Sequence, residues 1–216
     1  MPGPISGVRF VHAAICAEAE AIERAAASDE DLGNALERIT FLSRTVKLHT
    51  DGEEASIFPA LEEKMPAVAA AYLFDHDEED ALFAELLRLG DDLKARDSVE
   101  TRARFRRQTT ALTEHLLPHI RKEDTLVTPL LERLFSPPEQ GALIGKMLAG
   151  FSPADMANVL PWIIRSISAD DREQYLRMMK GAMPPERFVG VTSWIKAGVD
   201  GAIWDDLRRR VPELPA

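Results

Sequence analysis

Six residues of this sequence could together hold a pair of metal ions. His49-Thr-Asp-Gly-Glu53-Glu54-Ala-Ser-Ile-Phe-Pro59-Ala-Leu61 is followed, seventy residues on, by His119-Ile-Arg-Lys-Glu123-Asp124-Thr-Leu-Val-Thr-Pro129-Leu-Leu131. Each run sets a histidine four residues before a glutamate, then a second acid, then Pro and Leu at matching offsets. Each is preceded by a lone histidine, His12 or His76. Four imidazoles and two carboxylates in two equivalent sets suit a metal pair better than a single ion, because a carboxylate can bridge two cations and a neutral imidazole binds one. Imidazole and carboxylate with open positions suit iron ahead of manganese, and a thiolate-free set is a poor structural zinc site.

The residues that carry these groups read as helices throughout. Val8, His12, Ile15, Ala19 and Ile22 recur at the three- and four-residue steps of one helix face. That helix ends at Ala-Ala-Ala-Ser28-Asp29, where either polar residue could cap the next one. Leu32, Ala35, Ile39, Leu42, Val46, His49 and Glu53 form a second stripe, which stops before Pro66. Val68, Tyr72, His76, Phe83 and Leu87 form a third, which ends near Gly90. Phe105, Leu112, His115, His119, Glu123, Leu126 and Leu130 form a fourth, with Asp97-Ser-Val-Glu100 as its capping box. Short connections make neighbours antiparallel, so the expected fold is all-α: an up-down-up-down four-helix bundle over residues 1–135. Pro59, Pro118 and Pro129 are expected to kink or end the helices that carry them.

His12, His49, Glu53, His76, His119 and Glu123 all fall on these apolar stripes. A single core histidine is usually just hydrogen-bonded. Two inward glutamates, each one turn after an inward histidine, are harder to excuse, since burying an unpaired carboxylate costs several kcal/mol. With helices 2 and 4 parallel, the repeat suggests His12 and His49 on one ion, His76 and His119 on the other, and Glu53 and Glu123 across both. His115 faces inward one turn before His119 and reads as a residue behind the ligands or lining a channel, with a ligand role as the alternative. Asp80 reads as a solvated acid beside Glu78 and Glu79, with a ligand role as the alternative. Glu54 and Asp124 could each hold a ligand imidazole through its second nitrogen. Cys16 reads as a small buried hydrophobe rather than a nucleophile. No histidine has the Glu three residues before it that ferritin-like sites use, and no His-Glu-x-x-His run exists.

Residues 136–216 have another character. Ser136-Pro137-Pro138-Glu139, Ser152-Pro153-Ala-Asp155, Ser168-Ala-Asp-Asp171 and Pro184-Pro185-Glu186 look like helix starts, and Gly150, Gly181 and Gly198 like stops. Four or five short helices holding Trp162, Trp194 and Trp204 follow. Their apolar content (Met156, Leu160, Ile163, Ile164, Met178, Met179, Phe188, Ile195) is expected to pack on the bundle or in an interface. A homodimer or a protein partner could use this surface.

Composition narrows the function classes. A formal charge of −10 argues against nucleic acid as a partner. The Arg102, Arg104, Arg106, Arg107 cluster and Arg208-Arg209-Arg210 read as solvated helix faces, lacking interleaved aromatics. No run is long and apolar enough to span a membrane, and no basic segment leads into an apolar run at the N-terminus. The one cysteine excludes a disulfide framework and any CxxC zinc site, and a reducing cytoplasm is the expected compartment.

The order His, His-x3-Glu, His, His-x3-Glu over residues 8–135, with Phe-Pro or Thr-Pro after the acids, resembles the haemerythrin-like (HHE cation-binding) family. The resemblance implies a four-helix bundle with a non-haem, oxo- or hydroxo-bridged di-iron centre. It implies His12, His49, Glu53, His76, His119 and Glu123 as iron ligands. Oxygen-carrying haemerythrins have a fifth histidine where Asp80 stands, so simple oxygen carriage is not implied. The four-His, two-Glu set is more similar to that of the di-iron proteins of iron–sulfur cluster repair. Phe151-Ser-Pro-Ala-Asp-Met156 through Trp162, with Ser166-Ile-Ser168-Ala-Asp-Asp171, resembles the segment after each haemerythrin unit in plant BRUTUS-type iron-sensing ubiquitin ligases. Their cysteine-rich fingers cannot exist here. Two functions are therefore expected to compete: a di-iron protein that binds O2, peroxide or NO, with or without turnover, and a non-enzymatic iron or redox sensor that signals to a partner. Iron storage is disfavoured, because ferritin-type acidic motifs are absent.

Overall fold

A computed structural model describes residues 3–28 and 32–214, and every regular element among them is helical. Eleven α-helices are seen in the described residues: α1 Val8–Ala27, α2 Leu32–Gly52, α3 Phe58–Lys64, α4 Ala70–Ala95, α5 Val99–Lys122, α6 Thr128–Leu134, α7 Pro137–Met147, α8 Pro153–Ser166, α9 Ala169–Ala182, α10 Pro185–Gly198 and α11 Gly201–Arg210. The bundle helices are α1, the α2–α3 rod, α4 and the α5–α6 rod. None of the described helices is long and apolar enough to cross a membrane. Asp29, one of the two expected caps, lies outside the described residues.

Contacts divide the chain into two compact units: Ile15–Pro129, and Met1–Ala14 together with Leu130–Ala216. In the first unit Ile15, Ile22, Ile39, Leu42, Phe58, Leu61, Leu86, Phe105, Leu112 and Leu116 are buried. Polar ties join its helices at their flanks. Arg38 Nε donates to Glu18 at 2.6 Å, Thr110 Oγ1 to Glu23 at 2.6 Å, and Arg106 Nε to the Ala26 carbonyl at 2.9 Å. The last of these satisfies a carbonyl at the end of α1, which has no partner within the helix. Of the neighbouring arginines, Arg102 pairs with Asp97 and Arg104 with Glu85. Within α5 the cap is one residue later than expected: Ser98 accepts from Thr101 N at 3.1 Å, and Asp97 is taken by Arg102.

The prolines end no rod where expected. Pro118 lies inside α5, which continues to Lys122. At Pro59 and Pro129 the chain answers with a wider turn immediately before the ring. Glu53–Ile57 and Glu123–Val127 are π turns, closed by Phe58 N–H on the Glu53 carbonyl and Thr128 N–H on the Glu123 carbonyl. A π turn holds one residue more than an α turn, so it advances the buried face. Val127 and Leu131 are therefore buried, whereas Leu126, expected inside, is 55% exposed. A similar drift occurs in α4, where Leu86 and Leu89 are buried and Leu87 is half-buried.

In the second unit the helix starts fall where serine and acid pairs place them. Ser136 with Glu139 and Ser152 with Asp155 form capping boxes, and Ser168 Oγ accepts from Asp171 N. Asp200 caps α11, accepting from Ile203 N at 2.8 Å. Gly198 closes α10, but α9 runs past Gly181 to Ala182. A Cβ on Gly198 would come within 2.5 Å of Pro161, so only glycine allows α10 this approach to α8. Leu160, Ile163, Ile164, Met179, Phe188 and Ile195 are buried, with Met156 and Met178 half-buried. The N-terminal segment belongs with these helices: Phe10 packs on Tyr175 with ring centroids 5.1 Å apart, and Arg9 donates to Gln174 at 2.7 Å.

Candidate metal centre

Three helices of the first unit bring five of the expected ligands together. His49 and Glu53 come from the α2 rod, His76 from α4, and His119 and Glu123 from the α5 rod; all are 5% exposed or less. The imidazole Nε2 atoms point at the carboxylates: His49 to Glu53 at 3.4 Å, His119 to Glu123 at 3.4 Å, His76 to Glu53 at 3.6 Å and to Glu123 at 4.0 Å. Donor atoms of His49, Glu53 and Glu123 lie within 4.8 Å of one another, and so do those of His76, His119 and Glu123. Glu123 belongs to both sets, and Glu53 reaches from its own histidine to His76. The sixth residue, His12, is buried on α1. Each glutamate opens its π turn, so the widened backbone begins at the candidate ligand itself; such turns recur at functional sites.

A second layer fixes the rings. His76 Nδ1 lies 2.9 Å from Glu54 Oε1, and His119 Nδ1 lies 3.0 Å from Asp75 Oδ2. Only the ring nitrogen can donate to a carboxylate, so both Nδ1 atoms carry hydrogen and Nε2 is left facing the interior. Glu54 holds an imidazole as its place in the motif suggested; for His119 the holder is Asp75, which the repeat does not mark. Lys122 also bonds Asp75. Burial raises the Asp75 pKa, but Lys122 and His119 outweigh it and hold the carboxyl below its ordinary range. His115 Nε2 lies 3.2 Å from the Asp75 carbonyl. Asp80 is turned away and pairs with Lys47 at 3.0 Å.

Aromatic rings lie against the imidazoles. Phe58 lies 5.5 Å from His76 and 5.7 Å from Tyr72, and Tyr72 sits edge-on to His119 at 6.1 Å. In this setting charge is poorly solvated. Burial, then the Glu123 and Glu79 charges, push the Glu53 pKa well up. Burial lowers the His76 pKa, against the pull of Glu54. Burial also lowers that of His119, but Glu123, Glu79 and Asp75 overcome it and carry it to about 9.

Sequence reading missed Glu79. It was grouped with the solvated acids, yet it is 1% exposed, while Asp77, Glu78 and Asp80 are exposed. Burial lifts its pKa to about 8; His119 opposes that shift, and Glu123 and Asp75 add to it. The signal was present: Tyr72, His76, Glu79, Phe83 and Leu86 continue one four–three alternation.

The residues fit a metal. Glu53 Oε2, His76 Nε2 and both oxygens of Glu79 are buried without a hydrogen-bond partner. Native interiors rarely tolerate such atoms, and divalent cations satisfy imidazole lone pairs and carboxylate oxygens together.

Cys16 on α1 is half-buried, and burial followed by the Asp124 and Glu20 charges pushes its thiol from 9.0 up to about 11. Alkylation requires thiolate, so iodoacetamide at pH 8 is expected to label Cys16 about a hundredfold more slowly in the folded chain than in urea. Because the folded pKa is raised, Cys16 leaves stability unchanged below about pH 9 and lowers it as pH rises towards 11, where the unfolded thiol ionises first. Equal labelling rates in both states would contradict this burial.

Comparison with known proteins agrees with the geometry. Zinc finger protein BRUTUS of Arabidopsis thaliana is 32% identical over 191 residues, covering 86% of this chain but 15% of BRUTUS. A BRUTUS-like zinc finger protein of the same plant is 24% identical over 164 residues, covering 73% of this chain and 13% of its own length. The chain thus spans less than a sixth of these relatives. No solved structure matches. The model of the Hemerythrin HHE cation binding domain matches residues 3–131, which places this chain in the haemerythrin HHE family.

Proposed function

We propose that the protein is a non-haem di-iron protein that binds O2 or a related small oxidant, peroxide or NO. The observation that carries this reading is the pair of buried donor sets sharing Glu123. His12 and His49 are assigned to one ion, His76 and His119 to the other, and Glu53 and Glu123 to both. Iron is preferred to manganese or zinc because imidazole-rich sets with bridging carboxylates and open positions suit a redox-active pair, as membership of the haemerythrin HHE family also suggests. Bound iron would supply a redox-active Lewis-acid pair, bridged by oxo or hydroxo, that takes a small oxidant as ligand.

The chain's own groups do the rest. Glu54 and Asp75 hold two imidazoles in the tautomer that presents Nε2 inward. Phe58 and Tyr72 limit water at the donors, which strengthens each electrostatic contact. We assign the metal chemistry to residues 1–135 and a partner-facing or dimer surface to residues 136–216. The compartment proposed is the cytoplasm.

A sensing role is the second reading. It is favoured because the similarity to BRUTUS runs over 191 residues, beyond the bundle and into the later helices. Anaerobic reduction of the iron-loaded protein, followed by stopped-flow mixing with O2, H2O2 and NO, tests the oxidant reading. A persistent oxygenated or nitrosylated spectrum supports binding, and rapid peroxide or NO loss supports an enzyme. An iron spectrum unmoved by all three oxidants refutes both.

A further inference from the structure

We infer that Glu79 is a further protein ligand on the His76–His119 side of the centre, a carboxylate the sequence repeat does not supply. This rests on the two-metal reading above. Glu79 stands three residues after His76 on α4, so both side chains leave the same helix face. Its Oε1 lies 3.7 Å from His119 Nε2, and neither of its oxygens has a hydrogen-bond partner.

The surrounding donors are already committed. His115 Nε2 is 3.9 Å from Glu79 and 3.2 Å from the Asp75 carbonyl, which can only accept and so takes that hydrogen. His119 gives its Nδ1 hydrogen to Asp75, and its Nε2 lies nearer Glu123, at 3.4 Å, than Glu79. A carboxylate and an imidazole Nε2 aimed at each other across 3.7 Å are too far apart for a good hydrogen bond. Both can reach one cation, since ligand bonds of about 2.0–2.2 Å from each side fit such a separation when bent at the metal.

The consequence is an unequal pair of sites. Three residues after the other lone histidine, His12, stands Ile15, not an acid. The His76–His119 side therefore gains a carboxylate where its pseudo-twofold counterpart has an alkyl group. Two binding steps of different affinity follow, with the stronger step on the Glu79 side.

Anaerobic titration of metal-free full-length protein with Co(II), read by visible absorption and chelator competition, tests this. Wild type should bind two ions in two steps. Glu79→Gln, which keeps the side-chain volume, and Glu79→Ala should each weaken one step by about tenfold or more and leave the other unchanged. His119→Ala should weaken the same step. Metal-free Glu79→Gln should melt no lower than metal-free wild type, because it removes a buried acid that has no donor. Wild-type affinities and spectra in both Glu79 variants, with His119→Ala still defective, would overturn the Glu79 assignment alone. Two undiminished steps in His119→Ala would bring down the two-metal reading beneath it.

Discussion

Glu123→Ala is expected to abolish binding of both metal ions, whereas His49→Ala should remove one and weaken the other. The difference comes from sharing: Glu123 belongs to both donor sets, and His49 to one. Losing a bridging carboxylate removes a ligand from each ion and the negative charge that keeps two dications close. Alanine has the highest helix propensity, so the substitution should not itself unwind the rod. It also removes a buried acid, which lowers the cost of the metal-free fold. Metal per chain, measured by elemental analysis after iron loading and desalting, should fall from two to near zero in Glu123→Ala. The near-ultraviolet bridge absorption should vanish with it. Two irons retained by Glu123→Ala would refute the shared-ligand assignment.

Stripping the metal should have the second large effect. Metal-free protein carries Glu53 and Glu79 buried together, each held above the ordinary carboxylate range by burial and by neighbouring acids. A cation that binds only the folded state adds RT ln(1 + [L]/Kd), about 4 kcal/mol at a thousandfold excess over Kd. For a chain of this length that is a Tm shift of roughly 10 °C. Melts of iron-loaded and chelator-treated protein should differ by about that amount. If the protein senses iron, limited proteolysis should also accelerate within residues 136–214 when metal is removed. A metal-dependent Tm with an unchanged cleavage pattern there would favour the oxidant-binding reading over sensing.

Legibility of the fold differed from one kind of residue to another. The stripes through His12, His49, His76 and His119 gave the bundle helices because the helical phase holds for several turns around each histidine, drifting only towards the end of α4. The short helices after Phe135 were legible for another reason: Ser136, Ser152 and Ser168 each precede an acid three residues on, and a cap of that kind acts within one turn. Beyond Glu123 the expected phase failed. Leu126 and Leu130 fit an unbroken α-helix, but the π turn before Pro129 moved burial to Val127 and Leu131. Pro129 and Pro59 announced a disturbance without revealing whether the chain would stop, bend or widen.

The sequence by itself determined six of the side chains that are candidates for metal ligation and which helices carry them. Identity, one-turn spacing and repetition are local properties of a chain. Tertiary structure alone decided that Asp75 rather than a repeat residue orients His119, and that residues 3–14 group with the last helices. Whether an acid meets water or an imidazole depends on helices distant in the chain. Only packing brings those helices together.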